Sequence, residues 1–162
     1  MIAVSVYIAA IVAANLSVAA WGPWVSPINA FLLIGLDLAL RDTLHERWRG
    51  NRLMLRMGGL IAAAGAISYV LNPASGMIAI ASVVAFTAGG LADALIYQTL
   101  IRKPYLARAN ASNAGGAVVD SLLFPTIAFG AFLPAIVALQ IAAKIGGGFL
   151  WSLVLRRWYK AA

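Results

Sequence analysis

The chain has 162 residues, of which 63% are hydrophobic and only 10% are charged, and its mean hydropathy is +0.91. A soluble domain of this size needs many more residues that can face water, so the composition excludes a water-soluble protein and indicates an integral membrane protein. The net charge of +7 does not indicate a nucleic-acid partner, because the basic residues are scattered over short connections between apolar runs.

Apolar runs interrupted by proline, glycine and charge clusters predict six transmembrane helices joined by short loops, in a single domain over residues 1–162. A chain of this length has room for roughly six helices of about 20 residues each. The predicted spans lie near 2–20, 28–44, 53–71, 77–101, 112–131 and 134–155. The predicted fold class is therefore an all-α integral membrane protein.

The first two spans have particular features. No Lys or Arg precedes the first apolar run, so it is predicted to be a retained helix and not a signal peptide. The second span is short and follows Pro23 and Pro27, which predicts irregular backbone at its start that faces a cavity. Asn29 is then expected near an outer mouth.

The distribution of basic residues predicts the orientation. Basic clusters follow the second, fourth and sixth spans, whereas the connections after the first, third and fifth spans carry no charge. By the positive-inside rule, both termini are expected in the cytoplasm, in a multi-pass protein of a bacterial-type plasma (inner) membrane. Trp21 and Trp24 at one side, and Trp48 and Trp158 at the other, suit the aromatic belts of a bilayer.

Four charged residues lie inside apolar stretches: Asp37, Asp93, Asp120 and Lys144. A cation near the bilayer centre costs roughly 2.5 to 3.5 kcal/mol, so a partner or a ligand is expected for the lysine. Counting helical residues from the basic clusters puts Lys144 about 18 Å deep and the two later aspartates roughly 13 to 15 Å deep. The four charges are therefore expected to occupy neighbouring layers around one polar site.

Neighbours at helical spacing extend this site. A tyrosine follows Asp93 by four residues, and a glutamine precedes Lys144 by four. Asn15 and Asn113 either form hydrogen bonds between helices or contact a ligand. The candidate substrate-binding residues are Asp93, Asp120, Lys144, Gln140, Asn15, Asp37, Tyr97 and Asn113.

Two interpretations stay open for each buried charge. Asp37 either neutralises Arg41, four residues along the same helix, or contacts a substrate. Asp120 and Lys144 form either a structural pair or part of the binding site. Asp93 has no basic residue within one turn, so it is either the favoured ligand-facing carboxylate or a carboxylate that is protonated when the site is empty.

Catalytic constellations are not found in the sequence. The single histidine, His45, lies in a connection beside charged residues, and the chain has no cysteine for disulfides, thiolate metal sites or nucleophilic catalysis. No serine nucleophile motif, metal-ligand cluster or phosphate-binding glycine loop is present. The sequence therefore predicts a protein that is not an enzyme and binds no cofactor or metal.

From Asn15 to the C-terminal basic cluster, the order of these features resembles the queuosine precursor transporter family, also called the vitamin uptake transporter-like family. The matching elements are Asn15, Asp37-Leu38 with Arg41, Gly89 with Asp93, Gly116 with Asp120-Ser121, and Lys144. The chain departs from the family pattern at Gly90, Ala117 and Gln140, where other polar or acidic residues are expected.

The resemblance implies import of 7-cyano- or 7-aminomethyl-7-deazaguanine, or of a related nucleobase. A guanine-like edge has adjacent N–H donors for a carboxylate, so Asp93 or Asp120 would hold this edge. Lys144 would approach the ring carbonyl, directly or through Gln140. Aromatic side chains that could stack on the ring are Tyr97, Phe124, Phe149 and Trp151.

Two other functions fit the sequence. The chain could be the substrate-binding subunit of an energy-coupling factor vitamin importer, with small-residue spacings on the first span that dock a partner subunit. It could also be a structural assembly protein whose buried charges only fix the register of the helices. The expected partners are the lipid bilayer and a small nucleobase-like molecule, with a homo-oligomer or importer subunits as further options.

Overall fold

The structure, a computed structural model, describes residues 2–48 and 52–159 and is helical almost throughout. The α-helices are α1 (Ile2–Trp21), α2 (Ser26–Asn29), α3 (Gly35–Arg47), α4 (Leu53–Leu71), α5 (Gly76–Thr99), α6 (Tyr105–Phe129) and α7 (Pro134–Tyr159). Two 3₁₀ turns, Pro23–Val25 and Pro73–Ser75, precede α2 and α5, and a π-helical turn, Ala30–Ile34, joins α2 to α3. The second span is therefore a broken helix.

Five described segments are long and apolar enough to cross a bilayer: Ile2–Trp21, Pro23–Arg41, Leu53–Leu71, Pro73–Thr99 and Pro134–Leu155. The remaining long helix, α6, has 25 residues and a more polar first half. The predicted all-α integral membrane fold is confirmed. Two predicted boundaries are corrected: the second span begins at Pro23 instead of 28, and α6 begins directly after Pro104 instead of near 112. Polar residues such as the buried Ser112 interrupt the apolar run without interrupting the helix.

The long helices form a closed ring. Neighbouring helices pack in the order α1, α4, α5, α6, α7, α3 and back to α1, and α5 and α6 share the most extensive interface. This arrangement surrounds an interior to which every long helix can contribute side chains.

The two ends of the ring differ in charge. The turns at 21–27, 72–76 and 130–134 carry no charged residue, and we call this side the neutral end. Gly22 and Gly130 have positive φ values of 76° and 66° there, which glycine adopts without strain. The opposite side, the basic end, presents the exposed residues Arg52, Arg56, Arg102 and Lys103.

The outer surface of the ring is apolar and its interior is partly polar. Large side chains such as Val70 and Leu95 are 77% and 69% exposed. Tyr7, Ile11 and Leu44 belong to a buried apolar cluster, whereas charged and amide side chains are buried elsewhere in the ring. An apolar exterior around buried polar groups suits a hydrocarbon environment.

Candidate functional site

Lys144, on α7, has only 3% of its surface exposed and is anchored at three points. Its Nζ atom forms an ion pair with Asp120 of α6. The same atom donates to Ser121 Oγ at 2.9 Å and to Gln140 Oε1 at 3.3 Å. Because an ammonium group has three donors, these contacts satisfy it completely. The partner that the sequence predicted for this lysine is therefore present.

A close crossing of α5 and α6 positions the aspartates of both helices. A methyl group at Gly89 would lie 2.9 Å from the Gly116 carbonyl oxygen and 3.0 Å from Cβ of Asp120. A methyl group at Gly116 would lie 2.8 Å from the Gly89 carbonyl oxygen and 3.1 Å from Cβ of Asp93. Each helix thus has a Gly-x-x-x-Asp segment, and each glycine makes room for the aspartate of the other helix.

Asn15 ties the first span to two neighbours. Its Oδ1 atom accepts a hydrogen bond from Ser82 of α5 at 2.5 Å, and its Nδ2 atom donates to Ser68 of α4 at 3.1 Å. Ser68 donates in turn to the Ala64 carbonyl oxygen at 2.8 Å. The asparagine therefore makes the interhelical hydrogen bonds that were one of its two predicted roles.

The start of the second span is hydrogen-bonded to α1 and α7. Ser26 Oγ accepts from Gln140 Nε2 at 2.8 Å, and Asn29 Nδ2 donates to Ser17 Oγ at 2.6 Å. Because Gln140 also accepts from Lys144, a chain of hydrogen bonds runs from the neutral end to the buried ion pair.

These side chains surround a small cavity between Lys144 and the neutral end, which we call the neutral-end cavity. Its polar lining comprises Asn15, Ser26, Asn29, Ser82, Asp120, Gln140 and Lys144, and its aromatic lining comprises Phe86 and Phe124. The volume of this cavity is about 30 Å³, which is room for about two water molecules. A flat heterocycle therefore fits only after side chains move apart.

The irregular backbone expected in the second span is found where this span meets α7. A methyl group at Gly147 would collide with the carbonyl oxygen of Phe31 in the π turn, and one at Gly35 would lie 2.6 Å from the carbonyl carbon of Gly147. The indole N–H of Trp151 donates to the Leu32 carbonyl oxygen at 2.9 Å. Isolated π turns often occur at functional sites, and this one directly adjoins the cavity lining.

A second group of charges, formed by Asp37, Arg41 and Asp93, lies on the basic side of the ion pair. All three are at most 6% exposed. The Asp37 carboxylate interacts electrostatically with Arg41, Asp120 and Lys144. The Arg41 guanidinium reaches α5. One of its nitrogens lies 3.6 Å from the position that a methyl group would occupy on the glycine three residues before Asp93. Among the described residues, one carboxylate oxygen of Asp37 and one of Asp93 have no hydrogen-bond donor.

Lys144 also lines a second cavity, which extends towards the basic end and which we call the basic-end cavity. Its volume is about 190 Å³, so it is larger than the neutral-end cavity. Its lining comprises Leu38, Ala39, Asn110, Asn113, Ala114, Lys144, Ile145, Gly148, Phe149 and Ser152. The lysine therefore lies between two cavities.

The structure brings some of the predicted site residues together and separates others. Asn15, Asp120, Gln140 and Lys144 line the neutral-end cavity, and Asn113 lines the basic-end cavity. Asp37, Asp93 and Tyr97 line neither of these two cavities. Of the predicted stacking residues, Phe124 and Phe149 line a cavity, whereas Trp151 contacts the π turn.

Sequence reasoning did not select Ser26, Ser82, Phe86 or Tyr7, and it included Ser121 only as part of the family resemblance. A serine or a phenylalanine in an apolar run is usually a packing residue, so composition gives no signal. Ser82 and Phe86 lie at helical spacing from the aspartate of α5, which could have indicated that they share its face. Tyr7 is 1% exposed and interacts electrostatically with two aspartates and Arg41, although its position early in the first span suggests an interfacial anchor.

The arrangement is suited to recognising a polar molecule. A carboxylate can accept two adjacent N–H groups, while an ammonium and amide groups can donate to a carbonyl oxygen. Among the residues whose side chains the structure describes, the buried ionisable groups are Asp37, Asp93, Asp120, Arg41 and Lys144.

A family model described as "Putative vitamin uptake transporter" matches residues 2–156. The match therefore covers nearly the whole chain and includes both cavities. Comparisons with curated proteins and with solved structures give no match.

Proposed function

Since the chain belongs to the vitamin uptake transporter family, we propose that it is a membrane carrier that imports a queuosine precursor. The proposed substrate is 7-cyano- or 7-aminomethyl-7-deazaguanine, or a related nucleobase, and it binds in the neutral-end cavity. The main support is the Lys144–Asp120 pair, because these two buried charges line a cavity between the helices.

The edge of a deazaguanine complements the groups around this cavity. Adjacent N–H donors of the ring suit the Asp120 carboxylate, and the ring carbonyl oxygen suits Lys144 or the amide of Gln140. Phe86 and Phe124 line the same cavity and offer aromatic faces to a flat ring. Asp93 and Tyr97 are less favoured as direct contacts, because they line neither cavity.

Binding exchanges one set of partners for another. Without substrate, Lys144 and Asp120 satisfy each other. A substrate that offers a carbonyl oxygen and adjacent N–H groups can replace each partner, so that no buried charge loses its hydrogen bonds. The exchange must also widen the cavity, which involves the facing side chains of α6 and α7.

A ligand-dependent thermal shift of the purified protein tests the proposal, with a panel of deazapurines, purines and vitamins. A ligand at 100 times its dissociation constant stabilises the folded protein by about 2.7 kcal/mol. We expect a 7-deazaguanine to raise the unfolding midpoint of the parent by a few degrees and to leave Lys144→Met unshifted. Ala142→Leu is the matched control, because Ala142 lies two residues away on the exposed face of α7.

Stabilisation by a vitamin and by no deazapurine would contradict the proposed substrate. Transport by the purified chain in liposomes distinguishes a carrier from the substrate-binding subunit of a larger importer, which needs added partner subunits. Uptake that persists with a proton uncoupler would exclude proton coupling.

A further inference from the structure

The two cavities meet at one residue. Lys144 is the only residue that belongs to both described linings. Its ammonium group is bonded to Asp120 and Ser121 of α6 and to Gln140 of its own helix. The ion pair and its hydrogen bonds therefore join α6 to α7 at the level where one cavity ends and the other begins.

The cavities are stacked along the same two helices. On α6, Phe124 and Asp120 line the neutral-end cavity, and Asn113 and Asn110 line the basic-end cavity. On α7, Gln140 lines the former, while Gly148 and Ser152 line the latter. Asp120 and Asn113 are seven residues apart, which corresponds to roughly 10 Å along a helix.

We propose that the Lys144–Asp120 pair is the partition of the transport path and that the basic-end cavity is a second binding station, from which the substrate is released. This inference depends on the proposed function, because it concerns the same substrate on the other side of the lysine. When the substrate takes over the bonds of Lys144 and Asp120, the two side chains separate and the cavities connect.

The lining of the second station suits a planar solute with amide-like groups. Asn110 and Asn113 each offer two N–H donors and one carbonyl acceptor, and Phe149 offers an aromatic face. Leu38 and Ile145 add apolar contacts. Among the described residues, the lining of this cavity has Lys144 as its one charged side chain, whereas the first cavity has Asp120 as well, and the lower charge favours release.

Sided thiol labelling tests the partition without any substrate, and the chain is suitable because it has no cysteine. Ala114→Cys places a thiol in the basic-end cavity, and Ala142→Cys places one on the exposed face of α7 as the matched control. A charged, membrane-impermeant thiol reagent is added to either side of sealed vesicles of known orientation. Ala114→Cys should react at least about tenfold faster from the basic-end side, and Ala142→Cys should react from neither side.

Removing the partition should open the path. In the Lys144→Ala/Asp120→Ala background, which leaves no unpaired charge from this pair, Ala114→Cys should become at least about tenfold more reactive from the neutral-end side. Equal reactivity from both sides in the parent would overturn the partition. The partition would also be overturned if the double variant elutes as a folded protein and Ala114→Cys in it is labelled from the neutral-end side no faster than in the parent.

Substrate protection tests the second station in the parent background. We expect 7-aminomethyl-7-deazaguanine, added at the basic-end side, to slow labelling of Ala114→Cys, and Asn113→Leu to reduce this protection. A thermal shift by this compound without protection of Ala114→Cys would overturn the second station and leave the proposed function intact. No thermal shift by any deazaguanine, together with one-sided labelling, would refute the proposed substrate and retain the partition.

Discussion

Lys144, at the centre of the ring, is held by more than one contact. A buried ion pair alone contributes little net stability, because the loss of hydration offsets the attraction between the charges. Lys144 has two further hydrogen-bond acceptors besides Asp120, so its desolvated ammonium is fully satisfied. The protein is therefore expected to lose stability when only one member of the pair is removed.

Removing one member of the pair should be worse than removing both. Asp120→Leu should destabilise the protein by about 3–5 kcal/mol, because it leaves an uncompensated buried cation. The double variant Asp120→Leu/Lys144→Met should lose much less, since it leaves no charge behind. Unfolding midpoints in detergent measure the two effects. A double variant that loses the sum of both single effects would contradict the coupling.

The buried Asp93 carboxylate predicts a preference for a cationic substrate. Asp93 is 6% exposed, and one of its oxygens has no hydrogen-bond donor among the described residues. Asp93→Asn should therefore weaken binding of the cationic 7-aminomethyl compound about tenfold relative to the neutral 7-cyano compound. Competition binding with both compounds measures this ratio.

The matched control for this prediction is Lys103→Met, which changes the charge by one unit at an exposed position. Exposed charges are screened by water and salt, so the ratio should stay unchanged in this variant. If the buried charges only fix helix register, Asp93→Asn should lower the unfolding midpoint and leave the ratio of affinities unaltered.

At the scale of the helices, the site depends on contacts that only glycine permits. Gly147→Ala should destabilise the protein by about 1–3 kcal/mol, because its methyl group collides with the Phe31 carbonyl oxygen and the backbone must shift. Gly146→Ala is the control on the adjacent residue, since its methyl group would lie 3.6 Å from the Phe31 ring, at ordinary contact distance. Thermal unfolding compares the two variants. Equal losses would show that the contact between α7 and the π turn is not tight.

The helices could be predicted from the sequence better than their contacts. Apolar runs marked the spans because hydrocarbon demands them, and Pro23 and Pro27 marked a break because proline cannot donate a hydrogen bond. The π turn itself could not be predicted, since its stability depends on contacts with Gly147 and Trp151, more than 100 residues away along the chain.

The candidate site, like the fold, could be predicted only in part from the sequence. Buried charges are costly in a membrane, so Lys144 and Asp120 could be selected from their positions alone. Which aspartate pairs with the lysine depends on the helix neighbours, and α6 packs beside α7 in the ring. Burying a serine has no comparable energetic cost, so its position in the sequence does not mark it as a site residue. Ser26 and Ser82 are placed in the site only by the packing of their helices.

For the whole molecule, the ring has an apolar exterior, one neutral end and one basic end, and these features position it in a bilayer. Trp21 and Trp24 are 73% and 69% exposed at the neutral end. At the basic end, the Arg56 guanidinium lies 5.4 Å from the ring centroid of Trp48. Aromatic residues at both ends suit the two interfaces of a membrane, and the basic end suits the cytoplasmic side.

The orientation can be measured with two matched alanine positions. Ala74→Cys lies in a turn at the neutral end, Ala107→Cys lies near the start of α6 at the basic end, and both positions are exposed. By the positive-inside rule, a membrane-impermeant thiol reagent should label Ala74→Cys in intact cells and Ala107→Cys only after permeabilisation. The cysteine-free parent gives the background. The reverse pattern would place the basic end outside, and labelling of both from one side would mean that α5 does not cross the membrane.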